Sequence, residues 1–240
     1  MPAEPAAVLF DMDGTLVDTE GLWWQACAAV AAELGLELTE ADAGHVHGRP
    51  AGHTAAHLLR RGPRPPASEP VSLPGARVGA QAGTQVTDRV GARLIEEFAG
   101  RVEAGVTPLP GAIRLLDDLG AAGVPTALVT ASPRRIVDIV LRTVGAARFD
   151  LVVAAEDTAR GKPLPDPYLR AAAALGVDPA RCVAVEDSAV GVASALAAGC
   201  SVVSVSAGLR VPYGVLTSDG LEKIDVKTLR LLAAGEISIG

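Results

Sequence analysis

Ala7-Val8-Leu9-Phe10-Asp11-Met12-Asp13-Gly14-Thr15 is the stretch on which the fold turns. Its four apolar residues, with no polar alternation, read as a strand buried on both faces, the pattern of a parallel sheet covered by helices. Two carboxylates follow at i and i+2, on the exit from strand to loop, and in open parallel sheets ligands bind outside the carboxyl ends of the strands. Asp11 and Asp13 repel one another and gain most by sharing a hard divalent cation such as Mg²⁺. Taken alone, the motif also reads as a turn or cap cluster.

Working outward, four further apolar runs have the same character: Thr126 to Val129, Leu151 to Ala154, Cys182 to Val185 and Val202 to Val205. Helical patterns ending in glycine lie between them, Pro133 to Val144, Pro167 to Leu175 and Ala189 to Ala198. Ile113 to Leu119 forms a similar helix ahead of the second strand. These are the repeats of an α/β, doubly wound fold.

About a hundred residues separate Phe10 from Thr126, so the spacing predicts an inserted subdomain after the first strand. Leu22 to Leu34 reads as an Ala-rich helix stopped by Gly35, and Arg93 to Val102 as a second helix. Between them, Gly62 to Val86 carries five prolines and several glycines with no helical period, which predicts an irregular, mobile loop. The domain reading is residues 1–16 and 107–240 for the core and 17–106 for the insertion, with 62–86 its irregular segment.

Composition narrows the classes of function. In 240 residues, 21 basic and 28 acidic side chains give a net charge of −7. That excludes a basic nucleic-acid footprint and argues against binding an anionic membrane. Hydrophobic residues make up 49% and aromatics only 3%, so the core is built from small aliphatic side chains. Cys27, Cys182 and Cys200 lie in apolar segments without CxxC spacing and read as core residues of a reducing compartment. The N-terminus lacks a basic region before its apolar run, and no stretch has the length of a membrane span, so the expected location is the cytoplasm.

Three later segments carry chemistry. Thr130-Ala131-Ser132-Pro133 places a hydroxyl and free amides at a helix start, an anion site or an ordinary capped helix. Gly161-Lys162-Pro163-Leu164-Pro165-Asp166 places one lysine in a proline-rich loop, a site cation or a solvated side chain. Glu186-Asp187-Ser188 is a second acidic pair before an N-cap, a site pair or acids answering the helix dipole. All follow successive strands in order, which the structural readings do not explain together.

With DMDGTLVDTE, LVTAS, GKPLPDPYL and VEDSAVGVASALAAG in place, the chain resembles the haloacid dehalogenase superfamily, in its capped phosphatase and phosphomutase branch. The resemblance covers roughly residues 5–20 and 108–206. It implies a Rossmann-like core, a mainly α-helical cap inserted after the first strand, and Mg²⁺-dependent phosphoryl transfer through an aspartyl-phosphate. It makes Asp11 the nucleophile and a metal ligand, and Asp13 the general acid and then base, with its backbone carbonyl on the metal. Thr130, the Ala131 amide and Ser132 would hold phosphoryl oxygens, Lys162 would offset the charge on Asp11 and phosphate, and Asp187 with Glu186 would complete the metal site. Gly48-Arg49-Pro50 stands where relatives carry a cap loop reaching the core, so Arg49 is a candidate substrate contact, or else an exposed arginine.

The expected activity is hydrolysis of a small phosphorylated metabolite. The alternatives are a sugar phosphomutase and, from another class, a phospho-accepting signalling receiver or a catalytically silent relative. The family pattern departs at 62–86, where a helical bundle is expected. His45, His47, His53 and His57 crowd the insertion, and His53 with His57 at i, i+4 suggests a zinc pair. Against it, Pro50 and Gly52 interrupt the helix and no cysteine is near. Trp23 and Trp24 read as packing the hinge or stacking on substrate.

Overall fold

The structure, a computed structural model, describes residues 4–62 and 78–237. In chain order it contains β1 (Ala7–Phe10), β2 (Val17–Asp18), α1 (Glu20–Glu33), α2 (Ala43–Val46), α3 (Ala51–Arg61) and α4 (Val78–Ala104). There follow β3 (Thr107–Pro108), α5 (Ala112–Ala121), β4 (Thr126–Val129), α6 (Arg134–Val144), β5 (Leu151–Val153) and α7 (Asp166–Leu175). The chain closes with β6 (Cys182–Glu186), α8 (Ala189–Ala197), β7 (Ser201–Ser204), β8 (Leu216–Thr217) and α9 (Val226–Ala233). Two compact units result: Met1–Thr19 with Gly105–Gly240, and Glu20–Ala104.

In the first unit a parallel sheet runs in the order β5-β4-β1-β6-β7-β8. The chain moves from β1 outward to β4 and β5, then crosses to β6 on the other side of β1. The strand order therefore reverses around β1, which opens a crevice at its carboxyl end. Leu9 is level with Ala127 and Ala184, and Phe10 with Leu128 and Val185, so Asp11, Thr130 and Glu186 leave the sheet at one edge. Tyr168, Ala171 and Ala172 of α7 and Val192 and Ala195 of α8 pack on one face of this sheet against Leu9, Val129 and Ala184, a core of mostly small side chains. Cys182 and Cys200 belong to this core and Cys27 to that of the second unit, and all three are free and buried. Val17 and Asp18 pair antiparallel with Pro108 and Thr107, which brings the two ends of the first unit's interruption side by side.

The second unit is helical. Cys27, Val30 and Ala31 of α1 meet Ala55 and Leu58 of α3 and Val90 and Leu94 of α4 in its buried cluster. The expectation of a short helix at Arg93 to Val102 and an irregular segment up to Val86 is corrected here. Helix α4 begins at Val78, so Val78 to Val86 is helical, while 63–77 lies outside the described residues. Glycines at 79, 83 and 91 each cost a helix about 1 kcal/mol relative to alanine. The buried stripe Val90, Leu94, Phe98 and Val102, at i, i+4 spacing, outweighs that cost by packing along the helix.

The histidine region is also corrected. Pro50 does not interrupt a helix but precedes one, with extended backbone angles (φ −60°, ψ 149°), and α3 begins at Ala51. His53 and His57 therefore share a helix. His57 Nε2 lies 2.7 Å from Asp42 Oδ1, and His45 Nδ1 lies 3.3 Å from His53 Nε2. Trp23 donates from Nε1 to Val46 O at 2.8 Å and meets Phe98 edge-on, while Trp24 stacks on His47, so both indoles pack within the second unit.

Candidate active site

Asp11 follows β1 directly, and its amide donates to Val185 O at 3.0 Å, which fixes it beside β6. Asp11 is 7% exposed. Lys162, from the loop between β5 and α7, reaches back under the strand ends and uses all three ammonium hydrogens. It donates to Asp11 Oδ1 at 2.6 Å, Glu186 Oε1 at 2.6 Å and the Val129 carbonyl at 2.9 Å. A lysine whose side chain is only 4% exposed is tolerable because each N–H has an acceptor and two carry negative charge.

Glu186, the last residue of β6, is fully buried. Its Oε1 also accepts from Tyr168 at 2.6 Å, and its Oε2 accepts from Ser188 at 3.2 Å. The space for this carboxylate is the missing side chain of Gly191 on α8, where any Cβ would overlap it. Asp187 follows, with its carboxylate against Gly14, whose left-handed backbone (φ 80°) and bare Cα leave room for it. The acids are thus positioned over two glycines, one beside each strand end.

Asp13 is held by hydroxyls. Thr19 donates to Oδ1 at 2.7 Å, Ser132 to Oδ2 at 2.6 Å and Thr130 to Oδ2 at 3.4 Å. The Ser132 amide donates to Thr130 Oγ1 at 3.0 Å. Ala131 sits between them, two residues past the end of β4. Arg49 belongs to the second unit, is exposed, and donates from Nε to Gly44 O at 3.3 Å.

The electrostatics follow from burial. Burial pushes Asp11 well above the usual carboxylate range; Lys162 opposes the shift, while Glu186, Asp187 and Asp13 add to it. Burial likewise raises Asp13, with the hydroxyls of Ser132, Thr19 and Thr130 working against it. Asp187 is pushed up to about 7 by burial and then by the Glu186 charge. Burial works against the Lys162 ammonium, but Asp11 and Glu186 overcome it and leave its pKa above that of a free lysine.

Carboxylate oxygens of Asp11, Glu186 and Asp187 lie within 4.8 Å of one another, and among the described residues they form the group able to hold a metal ion. Three hard oxygen donors, two of them with raised pKa values, suit a divalent cation that would relieve their repulsion. The Asp13 carboxylate is turned to its hydroxyl partners instead.

The structure thus joins Asp11, Asp13, Thr130, Ser132, Lys162, Glu186 and Asp187 in one constellation and places Arg49 in the other unit. Thr19 and Tyr168 are not among the residues that the sequence marks as site residues. Thr19 lies at the end of DMDGTLVDT and Tyr168 within GKPLPDPYL, but only the fold reveals what their hydroxyls face.

A family model described as haloacid dehalogenase-like hydrolase matches residues 5–199. Hexitol phosphatase A of Escherichia coli is 35% identical over 210 residues, which cover 85% of this chain and 84% of that protein. The plasmid-borne protein CbbY of Cupriavidus necator is 34% identical over 198 residues, covering 80% and 75% respectively. Among solved structures, CbbY from Rhodobacter sphaeroides in complex with phosphate superposes with a TM-score of 0.76 at 25% identity, over 95% of this chain and 99% of that one.

Proposed function

The chain belongs to the haloacid dehalogenase-like hydrolases, and from that premise we propose that it hydrolyses a small phosphomonoester through a covalent phosphoryl intermediate on Asp11. The observation that carries the reading is the Lys162 ammonium 2.6 Å from both Asp11 and Glu186 at the crevice of the sheet. A carboxylate can attack phosphorus only where its own charge and that of the phosphate are screened, and a buried ammonium supplies part of that screening.

In this reading Asp11 attacks in line while Thr130, Ser132 and the Ala131 amide hold the equatorial oxygens. Asp13, whose burial favours its protonated form, gives its proton to the leaving alkoxide and then takes one from the water that cleaves the acyl-phosphate. Asp11, Asp187, Glu186 and the Asp13 carbonyl would hold Mg²⁺, which when bound supplies charge neutralisation at the transferring group. Arg49 is proposed to engage the substrate's non-reacting end. The names of the relatives favour a sugar or polyol phosphate as substrate, and the cytoplasm is the location proposed with it. Among the described residues no helix is long and apolar enough to cross a membrane.

The test is phosphate release over a panel of sugar, hexitol, nucleotide and glycolate phosphates, with Mg²⁺ and with chelator. Metal-dependent release from a sugar or polyol phosphate is expected. Conversion of a sugar phosphate to its isomer without release would point to a mutase, and silence across the panel would overturn the reading.

A further inference from the structure

Tyr168 is fully buried on α7, yet its hydroxyl points out of the apolar core at Glu186 Oε1, 2.6 Å away. That same oxygen is 2.6 Å from Lys162 Nζ. The ammonium also lies 5.1 Å from the centroid of the Tyr168 ring, so one side chain touches both partners of the ion pair. Lys162 has no spare hydrogen, since its three go to Asp11, Glu186 and the Val129 carbonyl. Whatever changes the attraction between Lys162 and Glu186 therefore changes how the ammonium is shared with Asp11.

We propose that Tyr168 is a positioning residue for phosphoryl transfer: by donating to the Glu186 oxygen that Lys162 also occupies, its hydroxyl weakens the hold of Glu186 on the ammonium and keeps that charge on Asp11. The proposal rests on the functional reading above. Ser188 supplies an internal contrast, because it too donates a hydroxyl to Glu186, but to the other oxygen, which Lys162 does not touch. Ser188 also accepts from the Gly191 amide at 3.0 Å as the N-cap of α8, so it carries a structural duty that Tyr168 lacks.

The experiment compares Tyr168→Phe and Ser188→Ala with wild type, using the phosphomonoester that wild type turns over. Tyr168→Phe is expected to lower kcat about tenfold, the scale of one hydrogen bond to a charged group, and to move KM less than about twofold. Ser188→Ala is expected to lower the melting temperature while kcat stays within about twofold, since it removes the cap and a bond to the Glu186 oxygen that Lys162 does not touch. Mg²⁺ affinity by calorimetry, without substrate, should be alike in wild type and Tyr168→Phe. An unchanged kcat in Tyr168→Phe, equal kcat losses in both variants, or a loss expressed only in KM would overturn the proposal.

A crystal structure of Tyr168→Phe keeps the question answerable if wild type proves to hydrolyse nothing, which would be a failure of the functional reading alone. The Lys162 to Asp11 distance should lengthen, and an unmoved ammonium would overturn the positioning role. Should the Phe variant not fold, fluorotyrosine in a Tyr213→Phe background places the analogue at 168 alone, since the chain has two tyrosines and Tyr213 is 91% exposed. Its stronger donation should move kcat in the direction opposite to loss, and no shift would count against the proposal.

Discussion

Both units bury acidic side chains, but under opposite conditions. In the helical unit Asp42 is 3% exposed and surrounded by donors: Thr39 gives its amide at 2.9 Å and its hydroxyl at 3.0 Å, His57 lies at 2.7 Å, and Arg61 closes an ion pair. Burial alone would raise its pKa, yet His57, Thr39 and Arg61 hold the carboxyl well below the usual range. In the sheet unit Asp11, Asp13 and Asp187 are raised, because one lysine and a few hydroxyls do not offset burial and mutual repulsion. The charge on Asp42 stabilises the fold, whereas the charges at the sheet edge cost stability until something positive joins them. A buried acid with a depressed pKa is a strut, and a cluster with raised values marks where chemistry is expected.

The largest effect is expected at Asp11. Asp11→Asn removes a repelled charge, so it should leave the fold intact and lower turnover by about four powers of ten or more. Near-wild-type activity in a verified sample would end the covalent mechanism. Next in size, chelation of divalent metal should cost about a thousandfold in rate, with restoration by Mg²⁺. Ca²⁺ should bind yet inhibit, through its looser coordination. A rate indifferent to chelator would remove the metal from the account.

On the structural side, Asp42→Ala strands Arg61 and His57 and should destabilise the helical unit by about 3 kcal/mol, read from its unfolding transition. The pH response sharpens the contrast further. Asp42's contribution is present above the ordinary carboxyl pKa and is lost as pH falls below about 4 toward its depressed value. The raised Asp187 works the other way, since its contribution is complete below about 4 and is lost as pH rises toward about 7. Metal-free protein taken from pH 7.5 to 5 should therefore gain stability in the sheet unit and not in the helical one, and Mg²⁺ should erase that gain. Equal responses in calorimetric scans would contradict the distinction. The smallest effect is expected for Arg49→Ala, a KM raised about fivefold with kcat within about twofold, as for one lost exposed contact.

The sheet unit was far more legible than the helical one. Ala7 to Phe10 and its sister runs are buried on both faces, so the apolar runs themselves mark strands, and the acids after Phe10 and Val185 mark the edge where ligands bind. Helix α4 was hidden because its glycines speak against a helix locally, while the partners that stabilise it, Cys27 and Leu58 among them, are distant in sequence. Helix α3 was missed for a related reason, since proline reads as a breaker in isolation and as a helix start once its place is known. Within the site, charged residues at strand ends were readable, but Thr19, Tyr168 and the bare Cα of Gly191 matter only through what lies opposite them.

The two-residue ribbon of Val17–Asp18 against Thr107–Pro108 has a bearing on how such a protein can change. Paired strands lie about 5 Å apart, so the sheet unit presents the ends of its interruption as neighbours, a gap that a tight turn could also span. Closing the chain there demands almost nothing of whatever lies between, in length or in shape. Glu20–Ala104 is thus bounded by ends that the sheet unit already holds together, and recombination at these borders could exchange one inserted unit for another without redrawing the sheet.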